Sequence, residues 1–174
     1  MVPPEQGGPL SLPYAFDTNA TGRLIVKGLV GIEAALLVVG AVKLATDLSA
    51  SSVLLVLFTG TVIAVPGILV FVKLGGASGR IAAEGVTVEP GTFLAFRTSA
   101  PAGTFALDRF GSVRVEEASS TTGQPREYQR VYLAGKSGTP DILIARTEGQ
   151  RGRRLGIALG TLLHLPVEEK RMAY

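Results

Sequence analysis

The chain has no cysteine and no tryptophan, and its 174 residues include a single histidine. Without cysteine there is no disulfide framework, no thiolate metal site and no cysteine nucleophile. His164 has no second histidine and no clustered carboxylates near it in sequence, so a metal site has no ligand set to build on. Set among leucines, it reads as a core histidine. Charge is sparse as well: 18% of residues are charged and the net charge is +3. No stripe of interleaved basic and aromatic residues marks a nucleic-acid surface. No catalytic motif is recognisable, so an enzyme is the least favoured class. No cofactor, metal or small-molecule substrate is expected.

What the chain has is hydrophobicity, and it is unevenly spread. Hydrophobic residues make up 47% and the mean hydropathy is +0.37. "LIVKGLVGIEAALLVVGAVKLA" runs from Leu24 to Ala45, and "VLLVLFTGTVIAVPGILVFVKL" from Val53 to Leu74. As a helix each is about 33 Å long, against a bilayer core of roughly 30 Å. A short polar link, "TDLSASS", joins them. The pattern predicts a transmembrane hairpin over residues 23–75, and Pro66 predicts a kink in its second helix.

The 22 residues before Arg23 contain no lysine or arginine and four prolines. A cleavable signal peptide needs a basic start and a shorter apolar run. Residues 1–22 therefore read as an extended arm, anchored by Leu10, Leu12, Tyr14 and Phe16; it is either a loose tail or a strap on a partner. Arg23 and Lys27 open the first span, and Lys73 and Arg80 follow the second. The link carries Asp47 and no basic residue. The positive-inside rule places both termini in the cytoplasm.

From residue 76 to 174 the pattern changes to short β runs. In "RFGSVRVEE", Val113 and Val115 alternate with Ser112, Arg114 and Glu116, the period of a half-buried strand. "ASSTTGQPRE" is a polar loop; "EYQRVYLA" and "DILIART" follow it. Between these two lies "GKSGTP", which ends like a phosphate-binding loop. Such a loop needs a glycine five residues before Gly135, where Arg130 stands, and a helix after it, where Pro140 and a β-like run stand. A hairpin turn fits better. The chain then offers one amphipathic helix with Leu155, Leu159 and Leu162 on one face, stopped by Pro166. Gly152, Gly156 and Gly160 recur every four residues along it, a packing face for a strand or a partner helix.

The stretch "FALDRFGSVRVEE…EYQRVYLAGKSGTPDILIARTEGQRGRRLGIALGTLLHLP", behind two N-terminal spans, resembles bacterial membrane-anchored proteins with a pleckstrin-homology-like (PH-like) domain. The layout is also similar to that of photosystem assembly factors with two spans and a soluble domain. The resemblance implies an α+β membrane protein: a two-helix transmembrane hairpin, then a small antiparallel β domain capped by a C-terminal helix. It implies binding of proteins or lipids, not catalysis.

Three features are candidates for function. Glu33 lies inside the first span, where a carboxylate must be neutralised or paired. Gly31 with Ala35, and Gly60 with Ala64, have small-xxx-small spacing for close helix packing, within the hairpin or on a partner. Gly31 and Ala35 are two residues either side of Glu33, so seam and carboxylate are expected on different sides. Arg151, Arg153 and Arg154 open the terminal helix, where cations oppose the helix dipole and want compensation from water, anionic head groups or an acidic partner. Together these features predict a non-catalytic accessory, structural or assembly subunit of a larger inner-membrane complex; by analogy with the layouts it resembles, the host is expected to be a photosynthetic or respiratory complex. The alternative is a free-standing lipid- or peptide-binding module on a membrane anchor. The expected partners are a larger membrane protein complex and the lipid bilayer, not nucleic acid.

Overall fold

The computed structural model describes residues 10–46, 50–119 and 127–172. The middle of the inter-helix link, 47–49, most of the polar loop, 120–126, and the first nine residues of the arm lie outside the described residues. The element order is β1 (Tyr14–Asp17), α1 (Ala20–Thr46), α2 (Ala50–Leu74), β2 (Ala77–Ala82), β3 (Gly85–Pro90), β4 (Thr92–Phe93), β5 (Phe96–Arg97), β6 (Gly103–Phe105), β7 (Phe110–Ser119), β8 (Glu127–Gly135), β9 (Ile142–Glu148), α3 (Arg151–Leu163) and β10 (Val167–Met172).

The chain divides into two compact units. The helical unit holds Asn19–Gly75 and, unexpectedly, Gly91–Ser99. The β unit holds the described residues of Met1–Thr18, Gly76–Pro90 and Ala100–Tyr174. A boundary at residue 76 therefore misses a return of the chain to the helical unit.

In the helical unit, α1 and α2 pack as an antiparallel pair. Gly22–Val42 in α1 is long and apolar enough to cross a membrane. The apolar run of α2 among the described residues, Phe58–Lys73, is shorter. The helix continues through Pro66. Strands β4 and β5 form a minimal hairpin, Thr92 opposite Arg97 and Phe93 opposite Phe96.

The β unit contains two four-stranded sheets, ordered β1-β2-β3-β6 and β10-β7-β8-β9. All pairs are antiparallel except β10 with β7, which run parallel. Ile81 and Val86 from one sheet share a core with Phe110, Val113, Val131, Leu133 and Ile142 from the other, and Leu159 of α3 completes it. All eight are buried. Each such side chain contributes about 1.5–3 kcal/mol through removal from water.

Over its described part the N-terminal arm is not a loose tail but carries a strand of the β unit. Tyr14–Asp17 pair with Ser78–Ile81 of β2, and Thr18 Oγ1 donates to the Ala77 carbonyl at 2.9 Å. Phe16 is buried, and Leu10, Leu12 and Tyr14 pack beside it. These four apolar residues alternate at period two, which is the spacing of a strand with one face inward.

Helix α3 lies on the second sheet by its glycine row. A Cβ at Gly152 would meet Gln129 and Thr147, one at Gly156 would collide with Val115, and one at Gly160 would meet Val167. The row is a packing face against strands of the same unit. The helix ends in a Schellman motif: Leu165 N–H donates to the Gly160 carbonyl at 2.9 Å, and His164 adopts a left-handed φ of 55°. His164 is exposed there, not a core residue. A strand, β10, follows the helix, so the helix is not the last element. Its sequence, "VEEKRM", hides the strand because an edge position accepts charges.

Candidate functional site

The seam of the helical hairpin is set by alternating spacing. In α1, Gly22, Val26, Leu29, Glu33, Leu36 and Gly40 are buried or half-buried, while the residues between them are mostly exposed. Steps of four and three keep one face of a helix against its partner. On α2 the matching face includes Gly60, Ala64, Gly67 and Phe71. A Cβ at Gly67 would collide with the Leu29 side chain, so the missing side chain lets the helices approach.

Glu33 lies in this seam. Its Oε2 is 3.3 Å from where a Gly60 Cβ would stand. Its Oε1 is buried and has no hydrogen-bond partner among the described residues. Gly31 and Ala35 are instead exposed, and nothing lies within 4 Å of a Cβ built on Gly31. The separation of carboxylate and small pair onto different sides is as expected, but the sides are exchanged. The carboxylate faces α2, while Gly31 and Ala35 face outward. Gly60 and Ala64 do lie toward the seam. Along the outer face, Leu37, Val38, Val39 and Val42 of α1 and Leu54, Phe58, Val62, Val65 and Leu69 of α2 are at least half exposed.

The three arginines of α3 belong to the β unit. Arg151 and Arg154 are exposed. Arg153 Nε pairs with Glu169 on β10 at 2.7 Å. Both side chains are about half exposed, so the pair contributes about 0–1 kcal/mol. The first turn is capped from a neighbouring strand. Gln150 makes no side-chain cap. Gln129, 1% exposed, accepts from the Arg153 N–H through Oε1 at 2.8 Å and donates from Nε2 to Glu117 at 3.0 Å. Sequence reasoning passed over Gln129. Its signal is a polar residue in phase with the inward Val131 and Leu133.

The Gly-Lys-Ser stretch joins β8 to β9 as a hairpin. Three of the groups a phosphate loop would aim at a ligand are engaged within the protein. Asp141 Oδ1 accepts from the Gly135 N–H at 2.9 Å, and Lys136 N–H donates to the Arg109 carbonyl at 2.8 Å. Lys136 Nζ donates to the Asp108 carbonyl at 2.7 Å. Burial disfavours ionisation of Asp141, but the Arg114 hydrogen bond, the Gly135 amide and the Arg114 charge outweigh it. Its carboxyl is held below the usual carboxylate range. Burial and the charge of Arg130 push the Arg146 guanidinium down. No group of three or more His, Asp and Glu residues that could hold a metal ion occurs among the described residues.

No family model, curated protein or solved structure matches the chain.

Proposed function

We propose that the protein is a non-catalytic accessory or assembly subunit of a larger inner-membrane complex. In this reading α1 and α2 cross the bilayer as a hairpin, both termini are cytoplasmic, and the β unit works in the cytoplasm. The two-span layout suggests an energy-transducing host, photosynthetic or respiratory. The observation that carries the reading is the exposure of the helical unit. Only 11% of the apolar window within Gly22–Val42 is buried, whereas a core helix of a soluble protein is mostly buried. Lipid is the surrounding that such a surface fits.

Two features of connectivity add support. Strand β1 directly precedes α1, β2 directly follows α2, and the two strands are hydrogen-bonded partners. A chain that crosses with α1 must therefore return with α2. Cleavage behind α1, as in a signal sequence, would also remove β1 and its buried Phe16.

The outward Gly31 and Ala35 offer a partner helix a close approach. Purification in mild detergent followed by mass spectrometry tests the reading. A stoichiometric large membrane protein is expected. A lone monodisperse chain would replace the subunit reading with a free-standing lipid- or peptide-binding module.

A further inference from the structure

The β4–β5 hairpin is built against the chemistry of its own turn. Phe93 pairs with Phe96, which leaves Leu94 and Ala95 as the two central residues. Two-residue hairpin turns favour asparagine and glycine, which tolerate positive φ and face water. Here Leu94 takes φ 53°, a left-handed conformation that is unfavourable for an L-residue with a side chain. Leu94 is also 83% exposed, the highest value among the exposed large hydrophobic residues, and Phe96 is 41% exposed. In water both the conformation and the exposure are unfavourable.

The hairpin belongs to the helical unit and is fixed at the end where α1 begins and α2 ends. Phe93 meets Phe71 of α2 edge-on, with ring centroids 6.0 Å apart. Ser99 N–H donates to the Val72 carbonyl at 2.9 Å. Thr98 is buried, and a Cβ at Gly75 would collide with its methyl group. Lys27 of α1, Lys73 of α2 and Arg97 of β5 are exposed in the same unit. The unit thus combines an apolar tip, exposed cations and the exposed apolar helices.

We infer that the tip, Leu94 with Phe96, inserts into the headgroup–acyl boundary of the membrane and acts as a second, shallow lipid contact beside the helices. Apolar groups placed this way lie about 5–10 Å into the boundary, and nearby lysines and arginines meet anionic head groups. The inference rests on the membrane reading of α1 and α2.

The chain has no cysteine, so each introduced thiol is unique. Leu94→Cys and Val38→Cys, each labelled with an environment-sensitive fluorophore, are reconstituted as full chains in nanodiscs containing anionic lipid. Lipids brominated near the head group or deep in the acyl chain serve as quenchers. Val38→Cys is expected to be quenched by the deep bromines. Leu94→Cys is expected to show blue-shifted emission and to lose most of its intensity to the shallow bromines. Ala95→Cys repeats the measurement without touching the left-handed residue. Water-like, unquenched emission at 94 and 95 with a quenched position 38 would overturn the tip contact and leave the membrane reading standing. A blue shift at 94 that no brominated lipid quenches would overturn it in favour of a protein contact. An unquenched position 38 would remove both readings.

Discussion

Glu33 and Asp141 are carboxylates held in opposite ways. Asp141 has a guanidinium and an amide on its two oxygens. Its folded-state pKa is depressed, so the stability it contributes is present above the ordinary carboxylate pKa. That stability is lost as pH falls through the lower folded value. In an NMR titration, Arg114→Leu is expected to move the Asp141 midpoint up toward the ordinary value; an unmoved midpoint would assign the depression to the Gly135 amide alone. Glu33 has close packing against Gly60 and one buried oxygen without a partner among the described residues. Glu33→Gln keeps its shape and is expected to be mild. Glu33→Leu replaces a buried oxygen without a partner among the described residues by apolar surface and is expected to raise the thermal stability of the chain in detergent. Equal melting temperatures for both variants and the parent chain would leave Glu33 with no part in holding the hairpin. Its neighbours give a sharper contrast. Gly67→Leu collides with Leu29, an overpacking of about 1–3 kcal/mol, and should lower the thermal stability of the chain in detergent. A Cβ at Gly31 has nothing within 4 Å among the described residues, so Gly31→Leu should leave that stability unchanged; under the subunit reading it should lower recovery of the partner.

At the scale of elements, α3 shows how small residues hold a helix on a sheet. Gly156→Val would drive a branched side chain into Val115 and is expected to destabilise the folded chain by about 1–3 kcal/mol in denaturant unfolding. Gln129→Ala removes the cap supplied by β8 and the partner of Glu117, with an expected loss of about 1–3 kcal/mol. Helices α1, α2 and α3 were legible in the sequence because their apolar runs and leucine face exceed anything a turn can carry. So was the hairpin around Lys136, since Pro140 and the run after it exclude a helix. Strands β1 and β10 were harder to read for opposite reasons. The first is a four-residue strand behind a proline-rich arm, and its partner lies beyond two helices. The second is four charged residues in six. The placement of Glu33 in the seam could not be read from spacing alone. Periodicity orders the faces of a helix but does not say which one its neighbour covers. Nor could the cap by Gln129, which depends on a contact across 24 residues.

At the scale of the whole molecule, the two units divide the work that folding requires. The β unit closes a core of its own, while the helical unit leaves most of its apolar surface uncovered. Reporter fusions in the inter-helix link and at the C-terminus are expected to place the link outside and the C-terminus in the cytoplasm. An exported C-terminus would reverse the assignment of the β unit to that side. The pairing of β1 with β2 also sets an order of events during synthesis. Thr18 and Ala77 exchange hydrogen bonds at 2.9 and 3.0 Å across a separation of 59 residues that contains both long helices. When Phe16 leaves the ribosome, the strand it will join has not been made. The first strand must wait, unpaired, until α1 and α2 have emerged and Ile81 follows them. The closing of β1 on β2 is thus a late step of synthesis, and a nascent chain stopped before residue 77 carries the first strand with nothing to pair it.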